Sequence, residues 1–186
     1  SQAHKFLLRD DVLFTNIVNW MLSLLQYPDD EVKAVSIKSL ELLCTTNCDQ
    51  MISKQKVAPA AGGIQQAQGG MSILEQILSN FEAYYSSLSE SSLYSFFSLT
   101  SALIRNVSSE QMKEQMFKIA VHFLDSPLQQ ILPLEPKIDP PTWHGLTLLV
   151  QCNTALATSL GNFYVSFFLS KFDLLMGAFT TLTGFL

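Results

Sequence analysis

The chain is poor in charge. Asp, Glu, Lys and Arg make up 15% of its 186 residues, against about 25% in an average soluble domain. Basic side chains are the scarcer sign: 11 Lys and Arg stand against 16 Asp and Glu, a net charge of −5, and no basic run occurs. Phosphate backbones need a basic face, so direct nucleic-acid binding is excluded as the main task. Cysteine is also scarce, with Cys44, Cys48 and Cys152 only. An odd count leaves a thiol unpaired. That argues against a disulfide framework and for a reducing intracellular compartment, cytoplasmic or nuclear. Neither an initiator Met nor a signal-peptide pattern stands at Ser1-Gln2-Ala3-His4.

Motifs of catalysis are missing as well. The sequence holds no GxSxG, P-loop, HExxH or GxGxxG pattern. His4, His122 and His144 are far apart in sequence, and none neighbours a Cys or a carboxylate pair. Catalysis needs a nucleophile, a base and an orienting group within hydrogen-bond reach. The expectation is a non-enzymatic protein without cofactor or metal. Cys44 and Cys48 have C-x3-C spacing with no nearby His, whereas zinc sites use CxxC loops and four ligands. They read as small buried hydrophobes at a helix end.

What is present is apolar: hydrophobic residues are 48% and the mean hydropathy is +0.23. Either surface is buried against something outside this chain, or part of it meets lipid. Phe163–Leu186 is long enough to span a bilayer. Lys171 and Asp173 sit near its centre, however, where each would cost about 2.5–3.5 kcal/mol. A buried helix is expected there, and a membrane-associated protein using 163–186 is the alternative. The apolar run Thr180–Leu186 ends without a stop signal. The chain is accordingly read as one piece of a longer protein.

Helical spacing dominates the chain. Asp10 or Asp11 can cap a first helix reaching about Gln26. Leu13, Ile17, Trp20 and Leu24 share one face, and Phe14, Val18, Met21 and Leu25 another, which predicts a helix sandwiched between neighbours. Pro28 stops it, and Asp29 or Asp30 caps the second helix. There Val32, Ser36, Leu40 and Leu43 form the predicted buried stripe, with Ala34, Lys38 and Glu41 pointing away. Residues from about 53 to 70 are small, polar and glycine-rich and read as a flexible loop. A third helix is predicted over Ser72–Ser86, with Leu74, Leu78, Phe81 and Tyr85 on one stripe. A fourth starts near Ser89, with Leu93, Phe97, Thr100, Ile104 and Val107 on one face. A fifth starts near Ser108, with Met112, Met116, Ile119 and Phe123 together. Ser126-Pro127 interrupts it, and Pro133, Pro136, Pro140 and Pro141 predict an extended connector over about 126–141. A sixth helix runs from Thr142 to about Leu160. Gly161 ends it, and Asn162 caps the last. The count is about seven helices in one domain, 1–186, with no strand.

The stretch Leu22–Leu43 holds an apolar helix, the turn Tyr27-Pro28-Asp29-Asp30, then Asp-x-x-Val-Lys-x-x-Ser-x-x-Ser-Leu. It resembles the helix–turn–helix unit of HEAT and armadillo repeats. The later helix pairs match by period alone. The resemblance implies an all-α fold of stacked antiparallel helix pairs, an α-solenoid in which small Ser36 allows close helix approach and Lys33 fills the usual basic position. It also implies a scaffold or adaptor, with further repeats of the same parent chain as neighbours. The expected partner is another protein, a helix or an extended peptide, held in a groove or on an exposed apolar edge. If second helices line a concave face, Lys38 and Glu41 face the partner.

Further candidate contacts are Asn153, Lys171 and Asp173. Asn153 falls on the apolar stripe of the sixth helix with Leu146, Val150 and Ala157. A buried amide must be bonded, either to a partner backbone or, more plainly, to a loop carbonyl of its own chain. Adjacent aromatics at Tyr84-Tyr85, Phe96-Phe97 and Phe167-Phe168 point about 100° apart on a helix. They mark helices buried on two sides or, failing that, an aromatic surface that anchors a partner. The serines of Ser86–Ser95 read as helix caps before phosphorylation sites.

Overall fold

The computed structural model describes residues 11–53, 70–131 and 140–183, and within these the side chains other than those of 126–131, 140–143, 146 and 173–183. The described residues form eight α-helices and no strand. They are α1 (Asp11–Leu24), α2 (Asp30–Ile52), α3 (Ile73–Ser79), α4 (Phe81–Ser87), α5 (Glu90–Arg105), α6 (Glu110–Ile131), α7 (Pro140–Leu160) and α8 (Asn162–Thr183). The predicted loop core, 54–69, lies outside the described residues.

Local chemistry sets the ends. Asp29 Oδ1 accepts from the backbone N–H of Glu31 at 2.8 Å and of Val32 at 3.1 Å, the cap expected for α2. Ser72 and Glu75 make a reciprocal capping box on α3. Gly161 leaves α7 with φ +52°, and its N–H donates to the Ala157 carbonyl at 2.9 Å. A left-handed residue there lets α8 turn back at once.

Several expectations are corrected. The helix predicted over Ser72–Ser86 is two helices, because Asn80 (φ −110°, ψ 18°) leaves the helical region and its Nδ2 donates to the Gln76 carbonyl at 2.9 Å. This raises the count from seven to eight. The Pro-rich connector is shorter than 126–141: α6 continues through Pro127 to Ile131, and α7 begins at Pro140. A mid-helix proline removes one backbone bond, and a proline in the first turn removes none. α1 is not sandwiched. Phe14, Val18, Leu22 and Leu25 are buried, while Leu13 is 40% and Trp20 61% exposed. On α6 the stripe is rotated: Met116, Phe117, Ala120, Val121 and Leu124 are buried, and Met112 and Ile119 face out. On α2 the buried line is Lys33, Ser36, Ile37, Leu40, Cys44, Asn47 and Met51, with Val32 and Leu43 only half-buried.

Each helix packs on near neighbours. α5 lies between α2 and α7; α1 rests on α2 and α3; α3 and α4 meet α6; and α6 packs on α5 and α7. Phe81 sits at the centre, with ring centroids 5.0 Å from Phe96, 5.5 Å from Phe97 and 5.0 Å from Phe123. The pairs Tyr84-Tyr85 and Phe96-Phe97 both turn into this core. A polar staple ties the first turn to the middle of the fold. Lys33 Nζ donates to the Ser87 carbonyl at 2.6 Å and pairs with Asp30 at 2.9 Å, while Ser87 Oγ donates to the Leu25 carbonyl at 3.0 Å. Further along, α2 kinks at Asn47 (φ −136°, ψ 31°), whose Nδ2 donates to Gln50 Oε1 at 3.1 Å.

Candidate partner-binding cleft

Among the described side chains, those of α8 are the least covered. Its inward residues Phe163, Tyr164 and Phe167 pack edge-on against Phe117 of α6, with centroids 5.4, 6.1 and 5.5 Å away. Of these Tyr164 alone is fully buried. Its hydroxyl donates to Asn153 Oδ1 at 2.6 Å, and Asn153 Nδ2 donates to the Leu149 carbonyl at 2.8 Å. Burial pushes the Tyr164 phenol up to about 12. A turn further on, Lys171 Nζ meets Asp125 Oδ2 at 2.9 Å, the two side chains 24% and 21% exposed.

Between α7 and α8 these contacts leave a cleft of about 380 Å³, walled by Leu124, Val150, Ala157, Val165, Phe167 and Phe168. Asn153, Thr154 and Tyr164 supply its few polar atoms, and Asp125 and Lys171 close one side. The same ion pair borders a wider groove of about 820 Å³ along α6 and α8, where Lys113–Glu110 and Lys118–Glu114 pair at 2.7 Å each. The outer side of α8 continues the apolar wall: Val165 is 47%, Phe168 39%, Leu169 63% and Phe172 42% exposed.

The structure brings two of the five sequence candidates together: Asn153 and Lys171 line this cleft. The side chain of Asp173 lies outside the described residues. Lys38 and Glu41 sit on α2, by a shallow depression of about 460 Å³ that Lys38 lines with the exposed Val35 and Leu42. Burial pushes the Glu41 carboxyl up, and Lys38 and Ser98 oppose the shift. Asn153 is bonded within its own chain, to a helix carbonyl and a tyrosine rather than to a loop. The Phe167-Phe168 pair divides: Phe167 packs inward on Phe117, and Phe168 faces out beside Phe172 at 5.9 Å. The readings of the sequence passed over Val165, Leu169 and Phe172. Their spacing from Phe168 was the available signal.

Cys44 is buried and Cys48 half-buried. Their contact, then burial, pushes Cys44 up, and the same contact lowers Cys48. Cys152 is raised to about 12 by burial. No group of three or more His, Cys, Asp or Glu among the described residues is placed to hold a metal. His144 Nε2 contacts Glu90 Oε2 on the surface, joining the starts of α7 and α5. No helix among the described residues is long and apolar enough to cross a membrane. No protein-family model matches the chain, and no curated protein matches its sequence.

Proposed function

We propose that this chain is a HEAT/armadillo-like scaffold that binds another polypeptide at the α7–α8 edge and performs no chemistry of its own. One observation carries the reading: an exposed apolar stripe on α8 runs beside an apolar cleft. Large apolar groups left together on a surface mark interaction sites. Support for the stacked arrangement comes from the packing order, in which α2, α5 and α7 follow one another as neighbours and α1, α3 and α6 do the same. Repeat proteins bury their cores by such neighbour contacts. Asn153 and Lys171 would border the partner. Lys38 and Glu41, with Val35 and Leu42, would form a second contact surface on α2.

Selection of random displayed peptides against the whole chain tests the proposal. Enriched sequences should bind at least tenfold more weakly to Phe168→Glu, a half-exposed position whose change leaves the helical circular dichroism intact. If nothing is enriched, or if the enriched peptides ignore Phe168→Glu, the α7–α8 edge is not a protein-binding site. Peptides weakened by Lys38→Ala and Glu41→Ala instead would place the contact on α2.

A further inference from the structure

Two of the chain's three thiols lie together. Cys44 and Cys48 are one turn apart on α2, where side chains four residues apart are neighbours. Arg105 and Asn106, at the end of α5, stand beside Cys48. The two sulfurs differ in access: Cys44 is 4% exposed, and Cys48 is half-buried. They differ in charge as well. The Cys44 S–H donates to Cys48 Sγ, and this bond, with Asn106 and Arg105, favours a thiolate at Cys48 against its partial burial and Asp49. The same bond, then burial, the Cys48 charge and Glu41, keeps the proton on Cys44. An accessible thiolate with a second thiol at its side is the arrangement that oxidises reversibly.

The backbone between the cysteines is the second feature. Cβ atoms four residues apart on a straight helix are separated by about 5–6 Å, and a disulfide holds them at roughly 3.8 Å. A regular helix therefore resists the bond. α2 is not regular there: Asn47, between the two cysteines, sits at φ −136° and ψ 31°. Its side chain is buried, and its Oδ1 has no hydrogen-bond partner among the described residues. A buried acceptor left unpaired lowers the cost of moving the segment that holds it. Beyond the kink α2 runs only over residues 48–52. Buried Met51 anchors that turn, and Gln50 Nε2 donates to Asp11 Oδ1 of α1 at 3.1 Å.

We propose that Cys44 and Cys48 form a peroxide-sensitive dithiol, in which Cys48 is attacked, Cys44 resolves it, and the kink at Asn47 lets residues 48–52 shift as the disulfide closes. The Cys48 thiolate attacks one peroxide oxygen and the O–O bond breaks. Cys48 becomes a sulfenic acid, and the hydroxide released takes up the proton that Cys48 had lost. Its negative charge is then gone, and with it the largest cause holding the proton on Cys44. Cys44 sulfur attacks Cys48 sulfur, the S–O bond breaks, and the leaving hydroxide takes the Cys44 proton. In sum, two thiols and one peroxide give one disulfide and two waters. Peroxide is the oxidant class that fits, because a small uncharged molecule reaches a half-buried sulfur that a tripeptide disulfide does not. The chain is acted on here and is not the catalyst, and the site is independent of the α7–α8 edge.

Mass spectrometry of the reduced whole chain after hydrogen peroxide tests this. The peptide map should show one Cys44–Cys48 disulfide within the chain, Cys152 still a thiol, and full recovery of the thiols with dithiothreitol. Cys44→Ser should leave Cys48 as a sulfenic acid that dimedone traps, and Cys48→Ser should slow peroxide consumption at least tenfold. Both variants should keep the helical circular dichroism of the native chain; if either fails to fold, the native map decides alone. In the bridged chain amide hydrogen exchange should quicken over residues 47–52 and stay unchanged in α7. Thiols left unreacted, Cys48 carried to sulfinic acid beside a free Cys44, a bridge between two chains, or one that includes Cys152 would overturn the pairing. Undiminished peroxide consumption by Cys48→Ser would overturn the choice of attacked sulfur. Unchanged exchange over 47–52 in a bridged chain would overturn the role of the kink.

Discussion

Replacing Lys33 with Met tests whether the staple between α1, α2 and α4 holds the fold. The Lys33 side chain is 9% exposed, with Nζ 2.6 Å from the Ser87 carbonyl and 2.9 Å from Asp30 Oδ1. Met keeps most of the apolar stem and removes the ammonium. The Asp30 carboxylate is 65% exposed, so that pair contributes only about 0.3–0.5 kcal/mol. The bond to Ser87 is different. It is charged, short and shielded, a class that contributes about 1.5–3 kcal/mol. Its loss leaves a carbonyl in the last turn of α4 without this donor. Opposing this, an ammonium taken out of water costs free energy that Met would recover. The bond should win, because Nζ already has two oxygens at short range and desolvation is partly offset by both. Lys33→Met should therefore destabilise by about 2–3 kcal/mol in urea unfolding followed by circular dichroism, a fall in Tm of roughly 4–12 °C for a chain of this size. Asp30→Asn should cost less than about 0.5 kcal/mol. If Lys33→Met is neutral or stabilising, the reasoning is refuted and desolvation governs the site. If Asp30→Asn costs as much as Lys33→Met, the exposed pair, not the Ser87 bond, was the staple.

Phe81→Ala should be the most damaging core change. Phe81 is 1% exposed and touches Phe96, Phe97 and Phe123, so the same unfolding assay should show a loss of about 3–5 kcal/mol. Gly161→Ala should cost about 1–2 kcal/mol; a Cβ there meets no atom within 4 Å, so the cost is the backbone at φ +52°, and Gly161→Asn should recover part of it. The Tyr164 phenol is raised from 10.0 to about 12 by burial, so folding favours the neutral form. That stability is present below pH 10 and lost as pH rises through about 12. Alkaline unfolding curves should flatten over this window in Tyr164→Phe, and unchanged curves would place the phenol in water. Amide hydrogen exchange should be faster over residues 162–172 of α8 than in α5, because the described side chains there are mostly exposed while those of α5 are mostly buried.

The sequence was most legible where one signal stood alone. Asp29 and Asp30 after Pro28 had one task between them, and Asp29 caps α2. Gly161 followed by Asn162 admitted one reading, and the chain turns there. The predicted face of α5, from Leu93 to Val107, is buried, and Phe96, Leu99 and Leu103 widen it because α5 lies between α2 and α7. Errors arose where signals overlapped. α1 and α6 each carry two apolar stripes, and periodicity alone does not say which one a neighbour will cover. In α6 the rotation from Met112–Ile119 to Phe117–Val121 follows from where α5, α7 and α8 lie, and no local rule contains that. The break at Asn80 was hidden because Asn tolerates a helix and ends one only when its amide competes for a carbonyl. Pro127 erred in the opposite direction: one lost backbone bond is too little to end a long helix.

The candidate edge was half legible for a related reason. Asn153 and Lys171 stood out as polar residues in apolar stretches, and the structure puts both on the cleft. Their polar groups are nevertheless occupied, by Tyr164 and by Asp125. They hold α8 in place and keep charge away from the surface it presents. The residues left exposed are the apolar ones beside them, which looked like core in the sequence because apolar side chains inside and outside a fold are the same. Only coverage separates the two. The aromatic pair shows this within a single dipeptide: Phe167 closes on Phe117, while Phe168, one residue on, is turned out. Which residues α8 turns outward therefore depends on its rotation about its axis, and the Tyr164–Asn153 and Lys171–Asp125 bonds restrain that rotation.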